Sequence, residues 1–260
     1  MSTSSKAAVA RYFIIVLLLS TPFWVIGGFS DWEPLPGVPV SALMVIVPPL
    51  VAFVYLARVE GYAAALRWIK SAFSLVALRR VRWVLIAILL PPATLAAAYA
   101  LMLLGAYTLP KPDLSVVHIV LLLAIFAIPA AFEELGWCNF ALVRLQQTMS
   151  ALGASLVIGV VWAVWHLVPL LQAGRSFVWI GSWFVGTVAL RVLITWIFNN
   201  SAGSVLLAAL FHASVNVSWQ SFPIRGSHYD PAMHAVVLVI VTGVIVATFR
   251  GTTLTREAQN

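Results

Sequence analysis

The chain contains one cysteine, Cys138, in 260 residues. A single thiol excludes an intrachain disulfide and leaves no partner for a zinc cluster or a redox pair. Acidic residues are almost as scarce. There are eight Asp and Glu, and charged residues of all kinds make up 9%, too few to solvate a globular surface of this size. A soluble domain is thereby excluded. With 62% apolar residues and a mean hydropathy of +1.02, the natural solvent is lipid. The formal net charge is +7, but the cations sit in loops between apolar runs. They are not spread along a polar, aromatic surface, so they imply membrane lipids as partner and no nucleic acid. No internal repeat, low-complexity tract or interdomain linker is present, and no inverted halves with broken helices point to transport. Stability must come from helix packing.

A bilayer core about 30 Å thick needs about 20 apolar residues per helix. Apolar runs of that kind lie near 12–29, 38–57, 83–106, 116–136, 153–172, 177–198, 204–220 and 234–249. The expected fold is all-α, a polytopic integral membrane bundle of about eight transmembrane helices forming a single membrane domain over 1–260. The seventh run is the shortest, and the fourth can continue past 136. The first carries Lys6 and Arg11 ahead of its apolar core and has no clear small-residue cleavage site, so it reads as an uncleaved anchor.

Basic residues in short loops set orientation. With both termini inside, the inner side holds Lys6, Arg11, Arg58, Arg67, Lys70, Arg79, Arg80, Arg82, Arg144, Arg250 and Arg256, and the outer side only Lys111, Arg175 and Arg225. Both termini are therefore expected in the cytoplasm. The inner loop 59–81 spaces Tyr62, Leu66, Ile69, Phe73 and Val76 as a helix would, with Arg67 and Lys70 between them. It reads either as a helix on the inner leaflet or as a solvated loop helix. The polar tail 251–260, which includes Glu257, is expected to fray.

Ionisable groups at membrane depth are costly and ask for a partner or a task. Glu133 and Glu134 stand side by side in the fourth run, while Asp31, Glu33, Glu60, Asp113 and Asp230 fall in loops. Adjacent carboxylates in a low-dielectric site repel, an arrangement suited to proton transfer. The plainer alternative is solvated charge at the membrane interface. His166 lies in the run VVWAVWHLVPLL, and His212 and Asn216 lie in LLAALFHASVNVS. The last two are four residues apart and share one helix face. Singly, each histidine fits an interhelical hydrogen bond. Together, these five residues on three helices supply a base, imidazoles that bind or polarise water, and an amide donor for an oxyanion, the parts of water-activated amide hydrolysis. His118, His228 and His234 are assigned to interfaces. Arg191 falls inside the sixth run, where it snorkels, pairs within the bundle or holds Glu134. Ser155 has no histidine placed to serve it as a nucleophile.

The runs FEELGWCNFALVRLQ, VVWAVWHLVPLL and TWIFNNSAGSVLLAALFHASVN resemble, in order and spacing, the three motifs of the CPBP intramembrane proteases, the family of the type II CAAX prenyl endopeptidase. The resemblance covers about 116–220. It places two glutamates at Glu133 and Glu134, an aromatic and histidine at Trp162 and His166, and a histidine and asparagine at His212 and Asn216. It implies a membrane peptidase acting on a membrane-bound or lipid-anchored peptide or protein. Glu133 and His166 would activate water, His212 and Asn216 would steady the oxyanion, and Glu134 would organise the site. The family is commonly called a metalloprotease. Two histidines and a glutamate can make a three-ligand site for a divalent metal such as zinc, but no HExxH motif is present and a metal-free glutamate mechanism uses the same residues.

One position departs from the pattern. The arginine expected four residues after Glu134 is Cys138, followed by Asn139 where bacterial members commonly carry glycine. A neutral thiol cannot replace a guanidinium. Either Arg144 or Arg191 supplies the charge, or the chain is a catalytically weakened member acting as a membrane binding or immunity protein. Depth poses a second problem. His166 lies about 20 Å along a helix entering near 153, whereas Glu133 belongs to the inner half. Tilt, a kink before Pro169, or a fourth helix extending to about 145 would bring them level.

Overall fold

The computed structural model describes residues 2–33 and 38–255. Arg256 and Glu257 lie outside the described residues. Nine helices and no strand occur among them: α1 (Ser2–Phe29), α2 (Val40–Val59, opening with a 3-10 turn), α3 (Tyr62–Ala72), α4 (Val81–Leu104), α5 (Val116–Leu145), α6 (Ala151–Gln172), α7 (Phe177–Asn200), α8 (Val205–Ser221) and α9 (Pro231–Phe249). Seven are long and apolar enough to cross a membrane, while the seventh run expected from the sequence, 204–220, forms α8 with 17 residues and is not among them. The chain is an integral membrane protein built as a polytopic helical bundle.

Short polar side chains decide where the later helices begin. Ser115, Ser150, Ser176 and Ser204 accept hydrogen bonds from the backbone N–H groups of His118, Gly153, Trp179 and Leu207, and Asp230 accepts from those of Ala232 and Met233. Each occupies a donor that a helix start leaves open. The caps at Ser204 and Ser150 thereby fix how far along α8 and α6 the two motif histidines fall.

α8 occupies the middle of the bundle, packed against α5, α4 and α7, with α6 against α7 and α9 closing over α7 and α4. A helix of 17 residues spans about 26 Å, short for a bilayer. Its polar residues, among them His212, Ser214 and Ser218, are buried against neighbours that do face lipid. α1 and α2 flank α5 on the other side. Gly136 makes that approach possible, because a Cβ there would meet the Tyr12 hydroxyl and stand 2.9 Å from the Pro48 carbonyl carbon.

Two expectations about the inner side need correction. The apolar spacing from Tyr62 to Val76 is not one helix: α3 ends at Ala72, and Val76 belongs to a separate 3-10 turn, Leu75–Arg79. α3 turns Ala65 and Trp68 inward and leaves Tyr62, Leu66, Arg67 and Lys70 exposed. Trp68 donates to the Asn139 carbonyl at 3.2 Å, which docks α3 on α5. The tail from 251 does not fray over its described part. The Gly251 and Thr252 carbonyls accept from the Leu152 and Ala151 N–H groups, Asn199 and Asn200 donate to the Thr253 and Leu254 carbonyls, and Leu254 is fully buried. The helix start at Ala151 needs acceptors, and the tail supplies them.

Candidate functional site

α5 does not stop at 136. It runs on through a π-helical stretch, Trp137–Leu142, to Leu145, a distortion frequent where helices carry chemistry. Glu133 therefore lies about 18 Å from the end of α5 at Leu145 and Trp162 about 17 Å from the start of α6 at Ala151, so the two meet. The Trp162 indole N–H donates to Glu133 Oε2 at 2.6 Å. The extension brings Glu133 level with Trp162, one turn before His166, and α6 is interrupted ahead of Pro169. Pro169 lacks an N–H and crowds the preceding turn, and the helix breaks at His166, whose own N–H is shared between the Trp162 and Ala163 carbonyls.

Adjacent residues on a helix point about 100° apart, and the two glutamates accordingly take different partners within the cluster. Glu133 faces α6, with one oxygen held by Trp162. Glu134 faces α7 and α8 and is fully buried. Its Oε2 accepts from Arg191 Nη1 at 2.6 Å and from the Cys138 thiol at 3.0 Å, and its Oε1 meets His212 Nδ1 at 3.0 Å. Neither glutamate is solvated interfacial charge, since Glu133 is only 4% exposed.

The histidines are oriented by acceptors that fix their tautomers. His166 Nδ1 lies 2.8 Å from the Trp162 carbonyl, which can only accept, so Nδ1 carries the proton and a neutral ring presents a lone pair at Nε2. His212 directs Nδ1 at Glu134 and is 4% exposed. Trp162 joins these groups. Its ring lies edge-on to His166 and to His212 at centroid distances of 5.5 and 5.1 Å, and the Arg191 guanidinium sits 4.2 Å over its face. Asn216, one turn after His212 on α8, is half-buried, and its side chain has no hydrogen-bond partner among the described residues.

Arg191 neither snorkels nor reaches solvent. It is fully buried, and its Nε and Nη2 have no partner among the described residues. Arg144 serves elsewhere, pairing with Glu60 at 3.1 Å and lying over Phe140. Tyr12 on α1 is buried beside the motif helix, its ring 5.9 Å from that of Trp137. Nothing in its own run marked it, because a tyrosine among apolar residues reads as an interfacial side chain. His234 is also not interfacial: it is buried between the Thr94 and Tyr229 hydroxyls at 3.1 and 3.2 Å. His118 and His228 do lie at the ends of spans, and Ser155 donates to the Ala151 carbonyl.

The donor set does not fit a resident metal. No three of His, Cys, Asp and Glu converge among the described residues. Both Glu134 oxygens are taken, one by the Arg191 guanidinium and one by His212. A cavity of about 420 Å³ opens at the end of the bundle where α5 ends and α6 begins, lined by Gln146, Met149, Asn199 and Thr253, away from all of these groups.

A helical membrane bundle holding a buried glutamate, histidine and arginine cluster is the class that this architecture defines. Residues 114–218 match the family described as type II CAAX prenyl endopeptidase Rce1-like. Over 105 residues the chain is 31% identical to CAAX prenyl protease 2 of Methanococcus maripaludis, an alignment spanning 37% of this chain and 38% of that protein. The likeness read from the three motifs holds over this segment, which contains every residue of the cluster except Tyr12.

Proposed function

We propose that the protein is an intramembrane endopeptidase that hydrolyses a peptide bond in a membrane-bound or lipid-anchored substrate. The observation that carries this reading is the division of labour between the adjacent carboxylates. Glu134 has both oxygens engaged by Arg191, Cys138 and His212, whereas Glu133 has one oxygen fixed by Trp162 and the other without a hydrogen bond among the described residues. A carboxylate held by one oxygen and open at the other is placed to take a proton from water. Glu133 accepts that proton as the water oxygen bonds to the peptide carbonyl carbon. It then delivers the proton to the departing amide nitrogen as the C–N bond breaks. His166 offers the Nε2 lone pair to orient the same water. The oxyanion falls to Asn216, whose amide is a ready donor, and to His212, which can donate from Nε2 only with both ring nitrogens protonated.

The second reading, a catalytically weakened binding or immunity protein, rests on Cys138 alone. The buried guanidinium of Arg191 beside Glu134 supports the enzymatic reading over it. The excess of basic residues on one side of the spans supports both termini in the cytoplasm, with substrate drawn from the surrounding bilayer.

The test is cleavage of farnesylated CAAX peptides and a pool of membrane peptides in detergent, read by mass spectrometry. Wild type is expected to cleave, Glu133→Gln to be inactive, and a chelator to leave the rate within about twofold, since no metal centre contributes to this route. Equal cleavage by Glu133→Gln would overturn the assignment.

A further inference from the structure

Position 138 faces Glu134. The thiol of Cys138 is fully buried and lies 3.0 Å from Glu134 Oε2, one helical turn away. An arginine there, as the motif would have it, would put its charge beside that oxygen from the same helix. The oxygen is not left without a cation. Arg191 enters from α7, and its Nη1 stands 2.6 Å from Glu134 Oε2 and 3.9 Å from Cys138 Sγ. The guanidinium thus fills the space that a long side chain at 138 would need.

Two small residues make the entry possible. Cys138 leaves the volume beside Glu134. On α6, Gly159 lets α7 come close, since a Cβ there would stand 3.2 Å from Arg191 Cβ and 3.1 Å from Val188 Cα. Arg191 also lies over the face of Trp162, which holds Glu133. One side chain therefore touches both Glu134 and the ring that orients the proposed base.

We propose that Arg191 is the positioning residue of this site, a relocated counterpart of the motif arginine, and that Cys138 and Gly159 are the small residues that admit it from the neighbouring helix. Its catalytic arm rests on the endopeptidase reading. The relocation itself is structural and does not.

The test is a charge swap between positions 138 and 191, followed in two ways. In cleavage assays, Arg191→Met should lower kcat about 100-fold, the size of effect expected when reacting groups shift by about 1 Å, with KM within about threefold. Arg191→Lys should keep part of the rate. The double variant Cys138→Arg/Arg191→Met should recover at least tenfold over Arg191→Met, because the charge returns to the same oxygen. In thermal melts of the purified protein in detergent, the two substitutions should be strongly non-additive. Cys138→Arg alone, which crowds two guanidinium groups on one carboxylate, should melt lower than wild type, and the double variant should melt higher than either single one. Wild-type kcat in Arg191→Met, or a double variant no better than Arg191→Met, would overturn the positioning role. Additive melting temperatures would overturn the relocation even if no peptide is cleaved, and an inactive wild type with non-additive melts would sink the endopeptidase reading while upholding the relocation.

Discussion

Trp162 and Glu133, twenty-nine residues apart in the chain, meet through an indole N–H to carboxylate hydrogen bond of 2.6 Å between α6 and α5. The motif aromatic is thus a donor as well as a ring. Trp162→Phe keeps most of the packing and removes the donor, leaving a buried carboxylate oxygen unpaired at a cost of about 1–3 kcal/mol. We expect a fall in melting temperature of several degrees and a loss of kcat larger than any change in KM. A variant with wild-type kcat would show that the hydrogen bond does not orient the base.

The two neighbouring glutamates should respond differently to the same substitution. Glu134→Gln removes the charge opposite Arg191, and a guanidinium left buried without its partner costs about 3–5 kcal/mol. Glu133→Gln leaves every ion pair intact. Chemical or thermal unfolding in detergent should therefore find Glu134→Gln much the less stable. The opposite order would contradict the assignment of Glu134 as the structural member.

Gly136 separates two motif residues and faces both Tyr12 and Pro48. The obstruction from Pro48 includes backbone, with its carbonyl carbon 2.9 Å from a would-be Cβ, so no rotamer change relieves it. Gly136→Ala should destabilise by about 1–3 kcal/mol or more, as overpacking does, and should displace α5 from α2. Unchanged melting would mean that α1 and α2 do not brace the motif helix.

Much of this site was legible before any fold was drawn. The i, i+4 spacing of His212 and Asn216 placed them on one face of α8, and the run through 136 allowed the extension that α5 makes. A proline after His166 fits the interruption of α6 at that residue. The adjacency of Glu133 and Glu134 left their separate roles open. It says nothing of their partners, and a turn of about 100° between neighbouring residues aims Glu133 at α6 and Glu134 at α7 and α8. The tail after 250 was misleading, since polar composition says nothing about carbonyls reaching the open N–H groups at Ala151 and Leu152.

The sequence by itself determined the solvent, the helical class and the chemical types at the site, because hydropathy, helical period and scarce membrane-depth polar groups are properties of short windows. Tertiary structure decided which cation serves Glu134. An arginine at 138 would have been adjacent by helical spacing, but Arg191 arrives from 57 residues away. Only the close packing of α6 on α7 at Gly159, with the small thiol at 138, brings it to the carboxylate. Partners between helices follow from how their surfaces fit together, and no local window of sequence contains that fit.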